Sequence, residues 1–586
     1  MTANRRAVPT VALLAALAAG GCGDGTRLYA PTCDAAGGDT SVSRPELLFN
    51  LQIGNTGWFS SPAVYDLDGD GDKEIVAPFY DIAVWDHTGT LLCQVPSGEH
   101  HFDRVYAPGV VADLEGDGTV EVVVAAGQGS VAAYEWVGGA LAIKDGWPAS
   151  TCIGESCFEV RSLAADDLDG DGAVEIVVSD TRSEQPPGYE STNPHVFVFE
   201  PDGTIRAGWP RYDTRTGVGA DLPGGADANC YGHDGYGSYG LNVGTGNVDD
   251  DPEAEILVTY DNHHIQAFNP DGTAVLADPS YFSRRGDDEC EGSPMSWGQF
   301  IRWLDPKVEE EHYHLHTGDW PDIDETMWLQ WTSSPPSVGD IDGDGRNEVI
   351  GVPNVEMDEP YFTYHHAVMV LEGDYAATGH RAARRLPGWE ELPLTEVPMF
   401  NDDWYPPGVV PSPAIVNIEG DGRSEIVTPA ADGRMYALGP EPTLLWRYDY
   451  SRGRPLMNAS EAAVADLSGD GRPEIVFGTF GEPGTEDGRL VILSSSGERL
   501  HDVALPNQSP DSGNGVGAAA TPTIADLDGD GELEILVLTI DHGLDVFTVP
   551  GSACNCVPEG ADPEIYCGLW PTGRGNYLRN GRAPGW

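Results

Sequence analysis

The residues of this chain best suited to chemistry are carboxylates at alternate positions of a glycine-rich loop, and the chain writes that loop eight times. The cleanest copy is Asp66-Leu67-Asp68-Gly69-Asp70-Gly71-Asp72-Lys73-Glu74-Ile75-Val76. Carboxylates at positions 1, 3 and 5 can turn inward together. Glycines at 4 and 6 permit the tight path, position 7 offers its carbonyl, and the Glu at 9 closes a cage of oxygens. That donor set suits calcium, a hard cation that takes about six to eight oxygens and tolerates irregular geometry. An EF-hand begins the same way, but it places its Glu at position 12 and runs on into a helix. Here position 12 is Ala77 or Val178 and the flank is β-branched, so the loop belongs to a β-hairpin.

The candidate ligands, at positions 1, 3, 5, 7 and 9, fall into eight sets. They are Asp66, Asp68, Asp70, Asp72 and Glu74; Asp113, Glu115, Asp117, Thr119 and Glu121; Asp167, Asp169, Asp171, Ala173 and Glu175; and Asn247, Asp249, Asp251, Glu253 and Glu255. The second half of the chain adds Asp340, Asp342, Asp344, Arg346 and Glu348; Asn417, Glu419, Asp421, Arg423 and Glu425; Asp466, Ser468, Asp470, Arg472 and Glu474; and Asp526, Asp528, Asp530, Glu532 and Glu534. The loops at Asp66, Asp167, Asp340 and Asp526 keep all four carboxylates and both glycines. Those at Asp113 and Asp466 substitute Glu115 and Ser468. The furthest departures are Asn417 with Glu419, and Asn247 with Asp250 and Pro252 at the glycine positions. One such turn alone would be an ordinary solvated hairpin. Self-similarity in one register signals a repeat fold.

With Pro62 to Ile75, Pro336 to Val349 and Pro522 to Ile535 each spelling Pro-x-[Val/Ile]-x-Asp-[Leu/Ile]-Asp-Gly-Asp-Gly-x-x-Glu-[Ile/Val], the chain resembles the FG-GAP/VCBS repeat family. Its best-known members are the β-propeller heads of integrin α subunits. The resemblance covers roughly residues 45–550 and implies an all-β, calcium-binding propeller. It implies little about activity, because one propeller fold hosts lectins, adhesins and enzymes.

Each repeat reads as a four-stranded antiparallel blade, in the first case 63–65, 74–78, 82–86 and 91–95. Eight motifs imply eight blades, or seven if one divergent copy is not a separate blade. Leu47-Leu48-Phe49 is expected to supply the outer strand of the last blade and close the ring. A net charge of -64 excludes nucleic acid and anionic membrane as surface partners. The loop carboxylates would repel one another without bound cations, so chelation is expected to destabilise the fold.

Arg5 and Arg6, an apolar stretch over 8–19 and Gly20-Gly21-Cys22 resemble a bacterial export signal of the lipoprotein type, with Cys22 as the lipid-bearing residue. The domain reading is then 1–21 export signal, 22–44 polar tether, 45–550 propeller and 551–586 a cysteine-containing tail. The expected location is the outer membrane, the cell surface or the medium, with membrane contact only through the lipid. Without Cys22 the cysteines are odd in number. Cys152 with Cys157, Cys230 with Cys290, and a pair among Cys554, Cys556 and Cys567 suit an oxidising compartment.

Strands alternate up and down, so the acidic loops lie on one face and the connections after strands two and four lie on the other. The long insertions, at 182–194, 211–241, 273–334, 354–365 and 386–410, all follow strand two or four. Function is expected on that insertion face. It would carry most of the histidines, among them His100, His101, His195 and His542, and it raises the alternative of a transition-metal or catalytic centre built from His263, His264, His312, His314, His316, His365 and His366. The favoured reading of those histidines is as polar loop residues making ordinary hydrogen bonds. Trp297, Trp303, Trp320, Trp328, Trp331, Tyr361 and Trp404 in the same insertions could stack on sugar rings or form small cores beneath the loops. Trp147, Trp209, Trp389 and Trp570 recur after blade ends and read as blade packing.

The chain contains no Gly-x-Ser-x-Gly, His-Glu-x-x-His or phosphate-loop motif. Three functions follow as expectations. The first is a monomeric calcium-binding module for a glycan or extracellular protein; the second is a secreted metal-dependent hydrolase or polysaccharide lyase; the third is a structural envelope component.

Overall fold

The computed structural model describes residues 30–35, 38, 41–181, 195–210, 240–260, 264–278, 296–298, 301, 303–306, 327–331, 334–358, 361–378, 382–389, 394–396, 412–430, 432–454, 457–481, 488–506, 515–556 and 567–583. It is an eight-bladed β-propeller. Blade 1 runs Ala63–Tyr65, Glu74–Pro78, Ile82–Trp85 and Leu91–Val95, each strand antiparallel to the last. The later blades span 110–143, 160–205, 243–274, 337–385, 414–449, 463–504 and 523–549. In blades 3 and 4 the outermost strand shrinks to single bridges, Phe199 to Ile205 and Phe268 to Ala274.

The β-branched run after each position-9 Glu forms the second strand, and in blade 1 it is buried along its whole length. Such a strand lies between two neighbouring sheets, which explains a continuous apolar run in place of alternation. Val64, Ile75 and Trp85 of blade 1 thus share one core with Leu536, Leu538 and Val546 of blade 8. Glu46–Leu51 pairs with Leu544–Val549, so the start of the propeller completes its last blade. Three tryptophans latch neighbouring blades: the indole N–H groups of Trp147, Trp209 and Trp389 donate to the carbonyls of Pro201, Pro270 and Pro440, each at 2.9 Å.

Trp570 does something else. It begins a segment, 570–583, that fills the central channel and passes the blades in order. The carbonyls of Trp570, Pro571, Tyr577, Leu578, Asn580 and Gly581 accept N–H groups from Val464, Ile524, Val111, Ala165, Thr245 and Val338. Every one of those donors stands two residues before an acidic loop, and Val64 donates to the Tyr577 hydroxyl at 3.3 Å. Arg574 and Arg579 are fully buried there. Arg574 donates to Ser412 Oγ, to Val243 O at 2.6 Å and to Pro336 O at 3.0 Å; Arg579 donates to Gly109 O at 2.8 Å and Gly573 O at 3.0 Å. Burial pushes the Glu461 carboxyl up to about 7 against the pull of Arg574, whose main-chain N–H bonds it at 2.9 Å. The tail is therefore an axle of the ring.

The stretch read as a polar tether is docked where it is described. Cys33 is disulfide-bonded to Cys556, Cys554 to Cys567, and Cys152 to Cys157. The first bond was not anticipated, because nothing in the spacing of Cys33 points across the chain. Cys93 is the free thiol among the described residues. Cys22, Cys230 and Cys290 lie outside them. No helix among the described residues is long and apolar enough to cross a membrane.

Candidate metal centre

In all eight loops one oxygen of the position-9 Glu, Oε2, accepts the N–H of position 2 at 2.7–3.0 Å, as in Leu67 to Glu74 and Ile341 to Glu348. The position-5 carboxylate accepts the N–H of position 7 in every copy, at 2.8–3.0 Å. In the best-formed loops the position-1 carboxylate takes the N–H groups of positions 4 and 6, as Asp66 does from Gly69 at 2.8 Å and Gly71 at 3.0 Å. Those two glycines sit at φ of 75° and 100°, where a side chain would be strained. The position-1 carboxylate thus accepts through both oxygens, Asp66 taking Gly69 on Oδ1 and Gly71 on Oδ2, whereas the position-9 Glu gives Oε2 to the position-2 N–H.

Ligand oxygens come within 4.8 Å of one another in five loops: Asp66, Asp68 and Asp70; Asp167, Asp169 and Glu175; Asp249, Asp251 and Glu255; Asp340, Asp342 and Asp344; and Asp526, Asp528 and Asp530. The divergent loop at Asn247 is among them, while those at Asp113, Asn417 and Asp466 show no such cluster among the described residues. Thr119, Ala173, Glu253, Arg346, Arg423, Arg472 and Glu532 occupy position 7, where the backbone carbonyl is the oxygen that every copy shares. Four buried carboxylate oxygens at ligand positions have no protein hydrogen-bond partner: Asp167 Oδ1, Glu255 Oε1, Glu425 Oε1 and Asp526 Oδ1. A buried, unpaired carboxylate oxygen is costly, and a hard cation is the partner this donor set fits. The same burial pushes Glu255, Glu425 and Glu474 up to about 8, and Glu74, Glu175 and Glu534 up to about 7.

Two groups of residues at these loops escaped sequence reasoning. Lys144 Nζ lies 2.8 Å from Glu115 and 3.1 Å from Glu121 in blade 2, and Arg206 lies 2.5 Å from Asp169 and 3.0 Å from Glu175 in blade 3. The N-terminal arm covers the loops of blades 6 and 7. Ala30 N–H bonds Gly422 O at 2.9 Å, Gly38 N–H bonds Gly469 O at 3.0 Å, and Asn555, which also holds Asp34, donates to Asp466 Oδ2 at 2.7 Å. Ser468 and Asn417 are buried beneath it.

On the opposite face, three connections around blade 5 join one accessory sheet, Trp328–Gln330, Asn354–Asp358, Tyr361–Ala367 and Leu394–Glu396. It carries His365 and His366 opposite Glu396 and Thr395, while His264 pairs with Tyr260 in blade 4. His263, His312, His314 and His316 lie outside the described residues, as do Trp320 and Trp404. His101 is a buried structural residue, held by the Tyr134 hydroxyl at 3.0 Å and the Tyr80 carbonyl at 2.8 Å. Trp297, Trp303 and Trp331 are core residues with no exposed face to offer a ligand.

Residues 466–537 match the FG-GAP-like repeat family. No curated protein matches the chain. Among solved structures it is similar to a quinohemoprotein alcohol dehydrogenase from Pseudomonas putida HK5, with 15% identity over 95% of this chain and 86% of that one and a TM-score of 0.48. The Dos1 propeller (9% identity, 88% and 97% covered, TM-score 0.43) and BamB from Moraxella catarrhalis (11%, 87% and 98%, 0.37) are also similar. Likenesses this distant carry no argument about activity.

Proposed function

We propose that this chain is an exported, calcium-stabilised propeller that binds an extracellular glycan or protein on its insertion face, tethered through Cys22. The repeat and the propeller fit a ligand-binding module. The observation that carries the rest is the division of labour between faces. One end of the ring holds eight acidic loops, four of them with a buried, unpartnered ligand oxygen, the channel is filled by the protein's own tail, and at the opposite end three connections around blade 5 join a separate sheet. A filled channel leaves the insertion face as the surface for a partner, and the disulfides are consistent with export. The test is a screen of glycan and extracellular-protein arrays in calcium, with a variant whose 354–365 insertion is replaced by a short Gly-Ser turn. Saturable binding that the variant loses supports the proposal; turnover of an array component without stable binding contradicts it.

A further inference from the structure

Resting on the calcium reading of the loops, we infer that one position just past the outer strand decides which loops take a metal ion, and that Lys144 and Arg206 are built-in cations that exclude it from blades 2 and 3. The two residues are equivalent by register. Lys144 N–H bonds Ala133 O and Arg206 N–H bonds Val198 O, both at 2.9 Å, and each acceptor stands two residues before an acid on strand three or at its end, Glu135 or Glu200. Their head groups then make the same three contacts, to the position-3 carboxylate, to Oε1 of the position-9 Glu and to that acid, the last at 3.2 Å in blade 2 and 3.4 Å in blade 3. Oε1 is the oxygen left over once Oε2 has taken the position-2 N–H. In blades 4 and 6 that atom is buried with no partner in the protein.

Blades 4 and 5 place apolar residues at the equivalent position: Val275 N–H bonds Ala267 O and Leu386 N–H bonds Val370 O, again at 2.9 Å. Two protein cations arriving independently at the same oxygens mark those oxygens as a cation site, and in blade 3 the ligand-ready group Asp167, Asp169 and Glu175 is the one whose Asp169 and Glu175 Arg206 already holds. A side chain already there and a divalent ion drawn to the same carboxylates repel each other. The residue just past the outer strand is thus a switch between a self-neutralised loop and a metal-loaded one, written outside the acidic motif.

The test is equilibrium dialysis of the full chain against fixed free calcium, with bound metal counted by elemental mass spectrometry. Lys144→Met/Arg206→Met, which keeps the apolar stems, is expected to bind about two more calcium ions per chain than the wild type. Leu386→Lys, which puts a cation over the Asp340 loop, is expected to bind about one fewer, and it keeps the test open should the first variant misfold. Equal counts in the wild type and in a folded variant of either kind overturn the inference while leaving the calcium reading standing. A wild type and variants that all bind none overturn both.

Discussion

Replacing Arg574 by Met should loosen the whole ring, because that guanidinium ties the tail to blades 4, 5 and 6 at once. It bonds Val243 O, Pro336 O and Ser412 Oγ, and its charge pulls on the buried Glu461 more than that of Arg579. Met fills much of the volume but leaves two carbonyls without their donor and Glu461 with only the weaker pull of Arg579. Breaking one side of a buried pair costs about 3–5 kcal/mol. With an unfolding entropy of about 2.1 cal/mol/K per residue, a chain of 586 residues should lose about 3 °C in melting temperature. The Glu461 carboxyl, already raised to about 7, rises further without Arg574. A carboxyl raised in the folded state favours the protonated fold, so stability is lost as pH climbs through that value, and the deficit should be larger at pH 8 than at pH 6. Adding Glu461→Gln should restore at least about 1 kcal/mol at pH 8. Calorimetry in saturating calcium reads both effects. A single variant melting within about 1 °C of the wild type at both pH values would refute the axle.

Asp545 is buried, accepts a 2.7 Å hydrogen bond from the Asn50 side chain of the closing strand, and burial lifts its carboxyl to about 7. Asp545→Asn should therefore stabilise by about 2–4 kcal/mol at pH 8 and by almost nothing near pH 4, measured by urea unfolding. Trp209→Phe removes the 2.9 Å indole bond to Pro270 between blades 3 and 4 and should cost about 1–3 kcal/mol by the same assay, including the orphaned carbonyl. Calcium binds only the native loops in this account, so excess EDTA should lower the melting temperature, and more at pH 8 than at pH 5, where protons neutralise the raised glutamates.

The blades were legible because their instructions are repeated. Glu-Ile-Val after each acidic loop specifies a strand buried on both sides, and Leu47 to Phe49 looks like an outer strand lacking its blade, which is what it is. The parts that occur once were not legible. Nothing local in Trp570 to Ala583 declares that it threads seven inner strands; the one available signal was Arg574, Arg579 and Arg582 crowded into an otherwise acidic chain. Cys33 and Ala30 gave no hint that they cover the loops of blades 6 and 7, since that docking depends on long-range contacts and a disulfide rather than on pattern. Trp297, Trp303 and Trp331 were open to two readings because a core aromatic and a ligand-stacking one look alike in sequence, and packing decides between them.

The most direct measurement is the metal content of the mature, extensively dialysed protein by elemental mass spectrometry. The account predicts several equivalents of calcium per chain and no transition metal. Calcium-free protein that melts at the same temperature with and without added calcium would contradict it, and about one equivalent of zinc, copper, iron or manganese would move function to a histidine centre on the insertion face.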